Sequence, residues 1–239
     1  MLEAVAVNLA ERDTQAVEFM DSPNCDPVRL DRTYAGFRAV NAVVAGWHQL
    51  YRTLLRPAVV RGLNPTVLDI GFGGGDLPRA LARWSARDGS RLRITAIDPD
   101  ERAHRFVSRL PPTSGVEFRC AVTADLVAEG LSFDFVVSNH LLHHLSGDEF
   151  DGLIADSRAL TRIRAVHSDI ARSLPAYLAF GAATLPFFRG SYIRADGLIS
   201  IRRSYTTAEL RAVVPPGWRL MTQFPARNLL VFDQGGAHV

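Results

Sequence analysis

Hydrophobic positions along the chain fall into three regimes. Up to residue 62 they recur every three or four residues, through Leu30, Tyr34, Phe37, Val40, Val44, Trp47, Tyr51 and Leu54. That is the repeat of a helical face. Asp31 reads as an N-terminal cap for part of this stretch and Pro57 as its end. Between residues 64 and 170 short β-rich runs take over: Thr66–Ile70, Leu92–Ile97, Val116–Cys120, Phe133–Ser138 and Ile163–His167. Helical patterns near 76–87, 100–110 and 147–161 separate them. Strands alternating with helices of this length predict βαβ units, hence an α/β fold with a mostly parallel, doubly wound sheet. Residues 171–203 break the alternation with an aromatic, arginine-bearing stretch, and a helix near 206–214 and strands near 218–223 and 228–233 follow. The expectation is a Rossmann-like seven-stranded sheet with an antiparallel edge. A helical N-terminal cover (1–62) precedes a domain over 63–239 with a lid insert at about 171–203.

Composition narrows the chemistry. All 27 basic residues are Arg. Without Lys there is no lysine Schiff base and no Walker A loop. A net charge of +2 is well short of a nucleic-acid footprint. The charge is unevenly spread: residues 1–31 hold seven acids (Glu3, Glu11, Asp13, Glu18, Asp21, Asp26, Asp31) against Arg12 and Arg29, while residues 158–203 hold eight Arg against Asp169 and Asp196. Cys25 and Cys120 lie far apart without CxxC spacing, as free thiols of a reducing compartment do. The acidic start lacks the basic region of a signal peptide. The longest uncharged run, Ser173 to Phe188, is broken by Pro175, Gly181 and Pro186 and falls short of a membrane span. A soluble, cytoplasmic protein is expected, as a monomer or homodimer.

The sharpest local signal is Val67-Leu68-Asp69-Ile70-Gly71-Phe72-Gly73-Gly74-Gly75-Asp76. A buried strand ends in a glycine-rich turn that opens a helix, so backbone can approach a ligand closely at a helix N-terminus. A dinucleotide fingerprint needs a third glycine where Asp76 stands, which disfavours an NAD-dependent dehydrogenase. An acid at Asp69 would repel a pyrophosphate and suits a cationic ligand. Asp98 closes the next strand, where α/β nucleotide sites hold a ribose, and Asp125 follows strand three.

Together, the D-x-G-x-G-G-G loop, the acid ending strand two, Ala124-Asp125-Leu126 and Phe133-Asp134-Phe135-Val136-Val137 resemble a class I S-adenosylmethionine-dependent methyltransferase over roughly residues 64–170. Arg38–Asn41, Gly46–His48, the run from Gly74 to Ala80, His143-His144-Leu145, and Asp196-Gly197 with Ser200 and Arg203 are similar to small-molecule methyltransferases beside bacterial type III polyketide synthases and to quinone-biosynthesis methylases. The resemblance implies S-adenosyl-L-methionine as cofactor. Asp69, Gly71, Gly73 and Gly75 would line its methionine side, Asp98 would bind the ribose, Asp125 and Leu126 would flank the adenine, and Asn139 would lie beneath the sulfonium.

Methyl transfer from a sulfonium is an in-line displacement that rests on positioning in a dry site. A phenolic acceptor also gains from a base with a pKa near neutrality. His140, His143 and His144 stand at i, i+3 and i+4, so one helical face could present all three. His143 and then His144 are the candidates for base or acceptor orientation, with His167, Asp169 and His48 behind them; no metal site is expected. Asn139 is not followed by the Pro-Pro-aromatic that grips amino groups of nucleobases and amides. Tyr177, Phe180, Phe187, Phe188 and Tyr192 suit an aromatic or polyketide-like acceptor. Arg172, Arg189, Arg194, Arg202 and Arg203 could bind an acidic substrate group or the acidic N-terminal segment. The expected activity is methylation of a phenolic or quinol oxygen; a non-catalytic cofactor-binding subunit is the reading from another class.

Overall fold

Five of the strands lie parallel: β1 (Thr66–Ile70), β2 (Arg93–Asp98), β3 (Val116–Cys120), β4 (Phe133–Asn139) and β5 (Thr161–Ile170). β6 (Trp218–Gln223) and β7 (Arg227–Asp233) form the closing hairpin, and β7 pairs antiparallel with β5. The sheet order is β3-β2-β1-β4-β5-β7-β6, as the alternation of patterns predicts. This computed structural model describes residues 8–59, 64–186 and 188–236; Glu3 of the acidic segment and Phe187 of the aromatic stretch lie outside them. Val67 and Leu68 on β1 and Phe135, Val136 and Val137 on β4 are fully buried, because helices cover both faces of a parallel sheet. Strand order reverses between β1 and β4, and the loops leaving their carboxyl ends open the crevice where such sheets bind ligands.

Helix α1 (Pro27–Val44) lays Leu30, Tyr34 and Phe37 against the glycine loop and a cluster holding Phe72, Phe106 and Val107. Its cap is Asp26, whose carboxylate accepts the Val28 and Arg29 N–H groups, with Pro27 at the first position. Asp31, read as the cap, lies a turn inside the helix and pairs with Arg109 at the surface, 2.7 Å away. Gly46 breaks the helix, and α2 (Trp47–Leu50) continues into a π-helical turn, Tyr51–Leu55. Both pack in the core on the α3 (Asp76–Arg87) side of the sheet. Helix α4 (Glu101–Ser108) follows β2. A short helix, α5 (Thr123–Ala128), occupies a stretch for which the pattern predicts no element. On the other face α6 (Gly147–Leu160) runs directly into β5.

The stretch after β5 forms two helices, α7 (Leu174–Thr184) and α8 (Ile193–Arg203), which pack on each other with Phe180 against Gly197. A final helix, α9 (Thr207–Val213), leads to the hairpin. Residues 9–21 run along this lid as a strap of mostly irregular chain that ends in a 3-10 turn, Phe19–Asp21. Arg172 donates to the Leu9 and Ala10 carbonyls, Arg202 pairs with Asp13, and Arg203 donates to the Ala16 carbonyl. The arginines therefore choose between their two possible partners: Arg172, Arg202 and Arg203 hold the N-terminal segment. Arg194 donates to the Gly181 carbonyl of the lid itself. Among the described residues, no helix is long and apolar enough to cross a membrane.

Candidate active site

The glycine loop leaves β1 with Gly71, Gly73 and Gly75 at φ +77°, +49° and +71°, a region side chains other than glycine disfavour. Gly74 has no such φ; its constraint is contact, since a Cβ there would stand 2.5 Å from the Tyr34 carbonyl oxygen of α1. The loop and the N-terminal cover are thus fitted together backbone to backbone. The Gly73 N–H donates to Asp98 Oδ2 at 2.9 Å, and Asp98 Oδ1 accepts the Asp100 N–H at 2.9 Å.

Three carboxyls converge behind this loop. Asp69 is 1% exposed, and its Oδ2 has no hydrogen-bond partner. Burial, then the Asp76 and Asp98 charges, push it well above the usual carboxylate range. Burial also raises Asp76, which accepts a hydrogen bond from Asn41 Nδ2 at 3.1 Å, and Asp98. Acids held this way favour a ligand that brings positive charge and hydrogen-bond donors.

A cavity of about 1370 Å³ opens over the loop. Asp69, Gly71, Gly73, Asp98, Asn139, His143 and His144 all border it, together with the apolar lid residues Ala179, Phe180, Phe188 and Ile201. Three residues expected at a cofactor do not. Gly75 caps α3, where a Cβ would press on Val107 and Phe118. Asp125 is exposed, its Oδ2 accepting the Val122 N–H at 3.0 Å, and Leu126 is buried in the core on the α6 side. The turn after β3 folds as a helix, which draws Leu126 into the core and leaves Asp125 capping its own first turn. Of the lid aromatics, Tyr192 stacks on Phe19 of the strap rather than bordering the cavity.

The loop after β4 carries the histidines. His140 takes φ +57° and receives the Arg227 guanidinium. Arg227 is buried, also donates to Asn139 Oδ1 at 2.6 Å and Ser168 Oγ at 2.8 Å, and is lowered by burial to about 10. His143, 2% exposed, sits between two carboxylates. Its Nδ1 is 2.8 Å from Asp169 Oδ1, and its backbone N–H donates to Asp169 Oδ2 at 2.8 Å. Its Nε2 makes no hydrogen bond but stands 3.3 Å from Glu18 Oε1 of the strap. Burial opposes a charge on the ring, yet Asp169 and Glu18 outweigh it and lift His143 to about 9. His144 places Nδ1 3.3 Å from Asp21 and Nε2 3.8 Å from the same Glu18 oxygen. His167 is fully buried on the sheet, bonded to Ser138 Oγ at 2.8 Å and stacked on Trp218, away from the cavity. His48 packs on Trp84, equally remote.

Two residues at the site carried no signal in the chain. Glu18 belongs to no periodic pattern and arrives only because the strap is tied to α8: Ser200 Oγ donates to its Oε1 at 2.7 Å, while the Asp196 carboxylate accepts the Phe19 and Met20 N–H groups. Arg227 opens β7 and meets the histidine loop through the hairpin's return.

Residues 67–164 match the family model described as a methyltransferase domain. A ubiquinone biosynthesis O-methyltransferase of Rhizobium leguminosarum bv. trifolii (strain WSM2304) is 34% identical over 86 residues, 35% of this chain and 32% of that protein. The mitochondrial ubiquinone biosynthesis O-methyltransferase of Arabidopsis thaliana is 34% identical over 80 residues, 33% of this chain and 24% of that protein. The matched part thus spans about a third or less of these relatives. Among solved structures, the plantazolicin methyltransferase BpumL in complex with SAH superposes with a TM-score of 0.65 at 11% identity, covering 90% of this chain and 92% of that one. The DszA carbon methyltransferase gives 0.58 at 14% identity, covering 93% and 62%. Residues 67–164 are thus similar to a methyltransferase domain, and the chain shares the Rossmann-like seven-stranded fold of the SAH-bound plantazolicin methyltransferase.

Proposed function

We propose that this protein transfers a methyl group from S-adenosylmethionine to a small, largely apolar acceptor, through a phenolic or quinol oxygen. The observation that carries the reading is Asp69: a buried carboxyl with an unpartnered oxygen, at the mouth of a glycine turn, in one cavity with Asp98 and an apolar lid. These residues fit the cofactor. In this reading Asp69 would take the ammonium of its methionine end, Gly71 and Gly73 would pass beneath it without side chains, and Asp98 would accept from a ribose. Bound there, S-adenosylmethionine supplies a methyl activated by its sulfonium charge. The absence of glycine at position 76 disfavours a nicotinamide dinucleotide in the same loop.

The remaining work of the chain is positioning. A cavity of about 1370 Å³ exceeds what a single drug-sized ligand fills, leaving room for an acceptor beside the cofactor. The lid and α1 wall that space with apolar side chains, and holding acceptor and methyl near contact there would supply most of the acceleration. Of the two roles considered for His143, the ion pairs favour orientation over proton abstraction. Nδ1 lies on Asp169 and Nε2 faces Glu18, so no free lone pair waits for a phenol proton. The quinol-type acceptor is supported by the relatives named above, ubiquinone biosynthesis O-methyltransferases. Incubation with methyl-labelled S-adenosylmethionine and a panel of phenols, quinols and alkylresorcinols tests the activity. Label transfer to oxygen in at least one acceptor is expected, abolished by Gly73→Val; binding of cofactor with no transfer to any acceptor would instead favour a non-catalytic subunit.

A further inference from the structure

Beside the cofactor loop, the strap and the β4 loop bring three donor atoms together: Glu18, His143 and His144 lie with one ligand atom each within 4.8 Å of the others. We propose that they form a divalent transition-metal site of the two-histidine, one-carboxylate type, opening onto the cavity. Both imidazoles turn Nε2 toward the same Glu18 oxygen, at 3.3 Å and 3.8 Å. Tetrahedral ligands on bonds of about 2.0–2.1 Å stand about 3.3–3.4 Å apart, so the donors need only small shifts to share one ion.

The outer partners point the same way. Each ring rests its other nitrogen on a separate carboxylate, His143 on Asp169 at 2.8 Å and His144 on Asp21 at 3.3 Å. A carboxylate on Nδ1 holds the ring so that Nε2 is the nitrogen offered to a metal ion once the ion displaces its proton, and raises its basicity as a ligand. His143 Nε2 is buried and makes no hydrogen bond of good geometry; its polar neighbour is the Glu18 oxygen at 3.3 Å, the atom that would share the ion. Ser200 Oγ donates to Glu18 Oε1 at 2.7 Å and holds the carboxylate in place. Three carboxylates around two histidines also complement a doubly charged ion. Imidazole and carboxylate donors select zinc, cobalt, iron or nickel over magnesium and calcium.

All three residues border the cavity, so with three protein ligands an open position faces it. An oxygen of a molecule in the cavity would complete the coordination. That role for the ion rests on the methyl-transfer reading; its binding does not. Because Glu18 lies on the strap and both histidines on the β4 loop, an ion would also pin the strap down.

The test is a titration of the full, untagged, chelator-treated chain with Co²⁺, followed by visible absorption and thermal unfolding, with Zn²⁺ as competitor. One Co²⁺ per chain is expected, with intense d–d bands of a four- or five-coordinate ion that Zn²⁺ removes, and with a raised Tm. Glu18→Gln and His144→Ala should each weaken binding at least tenfold. Asp21→Asn, which leaves the ligands intact, should weaken it by about tenfold or more. No absorption band and no stabilisation would overturn the proposal, leaving a histidine held by its ion pairs alone. So would binding unchanged in both ligand variants, which would put the ion elsewhere. Cofactor binding measured in parallel with chelator present keeps this outcome separate from the methyl-transfer reading.

Discussion

Asp69 shows how a single residue can be held at a cost for the sake of a ligand. Its folded pKa is raised, so the sign is that of a carboxyl whose stability contribution is greatest below the unfolded value near 3.8 and is lost as pH rises. At neutral pH Asp69→Asn should therefore leave the ligand-free protein as stable as wild type or more so, while weakening S-adenosylhomocysteine binding about 10- to 100-fold. That range corresponds to about 1.5–3 kcal/mol for a hydrogen bond to a charged group. Chemical denaturation read beside calorimetry checks both halves; equal losses of stability and binding would mark Asp69 as structural. His167 carries the opposite lesson. Burial lowers it to about 3, so the folded state keeps it neutral while the unfolded chain takes a proton near 6.5. Stability should fall as pH drops below 6.5, by at most about 1.4 kcal/mol per pH unit from this residue. His167→Phe should flatten that slope. An unchanged slope would mean that water reaches the ring. The sequence offers His167 as a lesser candidate behind His143 and His144; its ring instead bonds Ser138 and stacks on Trp218 within the sheet, away from the cavity.

At the scale of elements, the contact between α1 and the glycine loop and the strap along α8 do most to shape the site. Gly74→Ala would drive a methyl into the Tyr34 carbonyl, and because backbone cannot rotate away the expected loss is about 1–3 kcal/mol. A urea titration reads it, and a loss under about 0.5 kcal/mol would show that the helix yields. The strap depends on arginines that donate to its carbonyls. In Arg203→Ala, amide hydrogens of residues 13–20 should exchange faster while those of β1 and β4 stay protected; uniform exchange would show that the strap is held otherwise. What could be read from the chain follows from these contrasts. Strands β1 and β3 span the residues their patterns mark, β1 as a largely buried run and β3 as an edge strand whose apolar residues alternate with Glu117 and Arg119. Helix α5 has six residues, too few for a period to register. Helix α7 is apolar nearly all round and carries no stripe, so its pattern does not mark it as a helix. The strap has no period at all, because irregular chain tied largely through its backbone places little demand on residue type. Glu18 went unread for that reason.

For the molecule as a whole, sheet order, glycine turn and second-strand acid were legible because each is a local rule repeated in sequence order. The cavity was not, since the strap, α1, the loops after β1, β2 and β4, the lid and the turn before β7 contribute to it from seven separate stretches of chain. Part of the charge pattern now has a structural reading: Arg202 pairs with Asp13 of the strap, Arg172 and Arg203 donate to its carbonyls, and acids gather where a cationic ligand would lie. The expected adenine contacts, Asp125 and Leu126, fall outside the cavity, so recognition of the base must use other residues or a shift of α5. The central claim is that the acid-lined glycine turn binds S-adenosylmethionine. Isothermal titration calorimetry of the full chain with S-adenosylhomocysteine tests it most directly. Saturable binding of one ligand per chain, lost in Gly73→Val and weakened in Asp69→Asn, is the result expected; no binding to the folded wild-type protein would contradict the account.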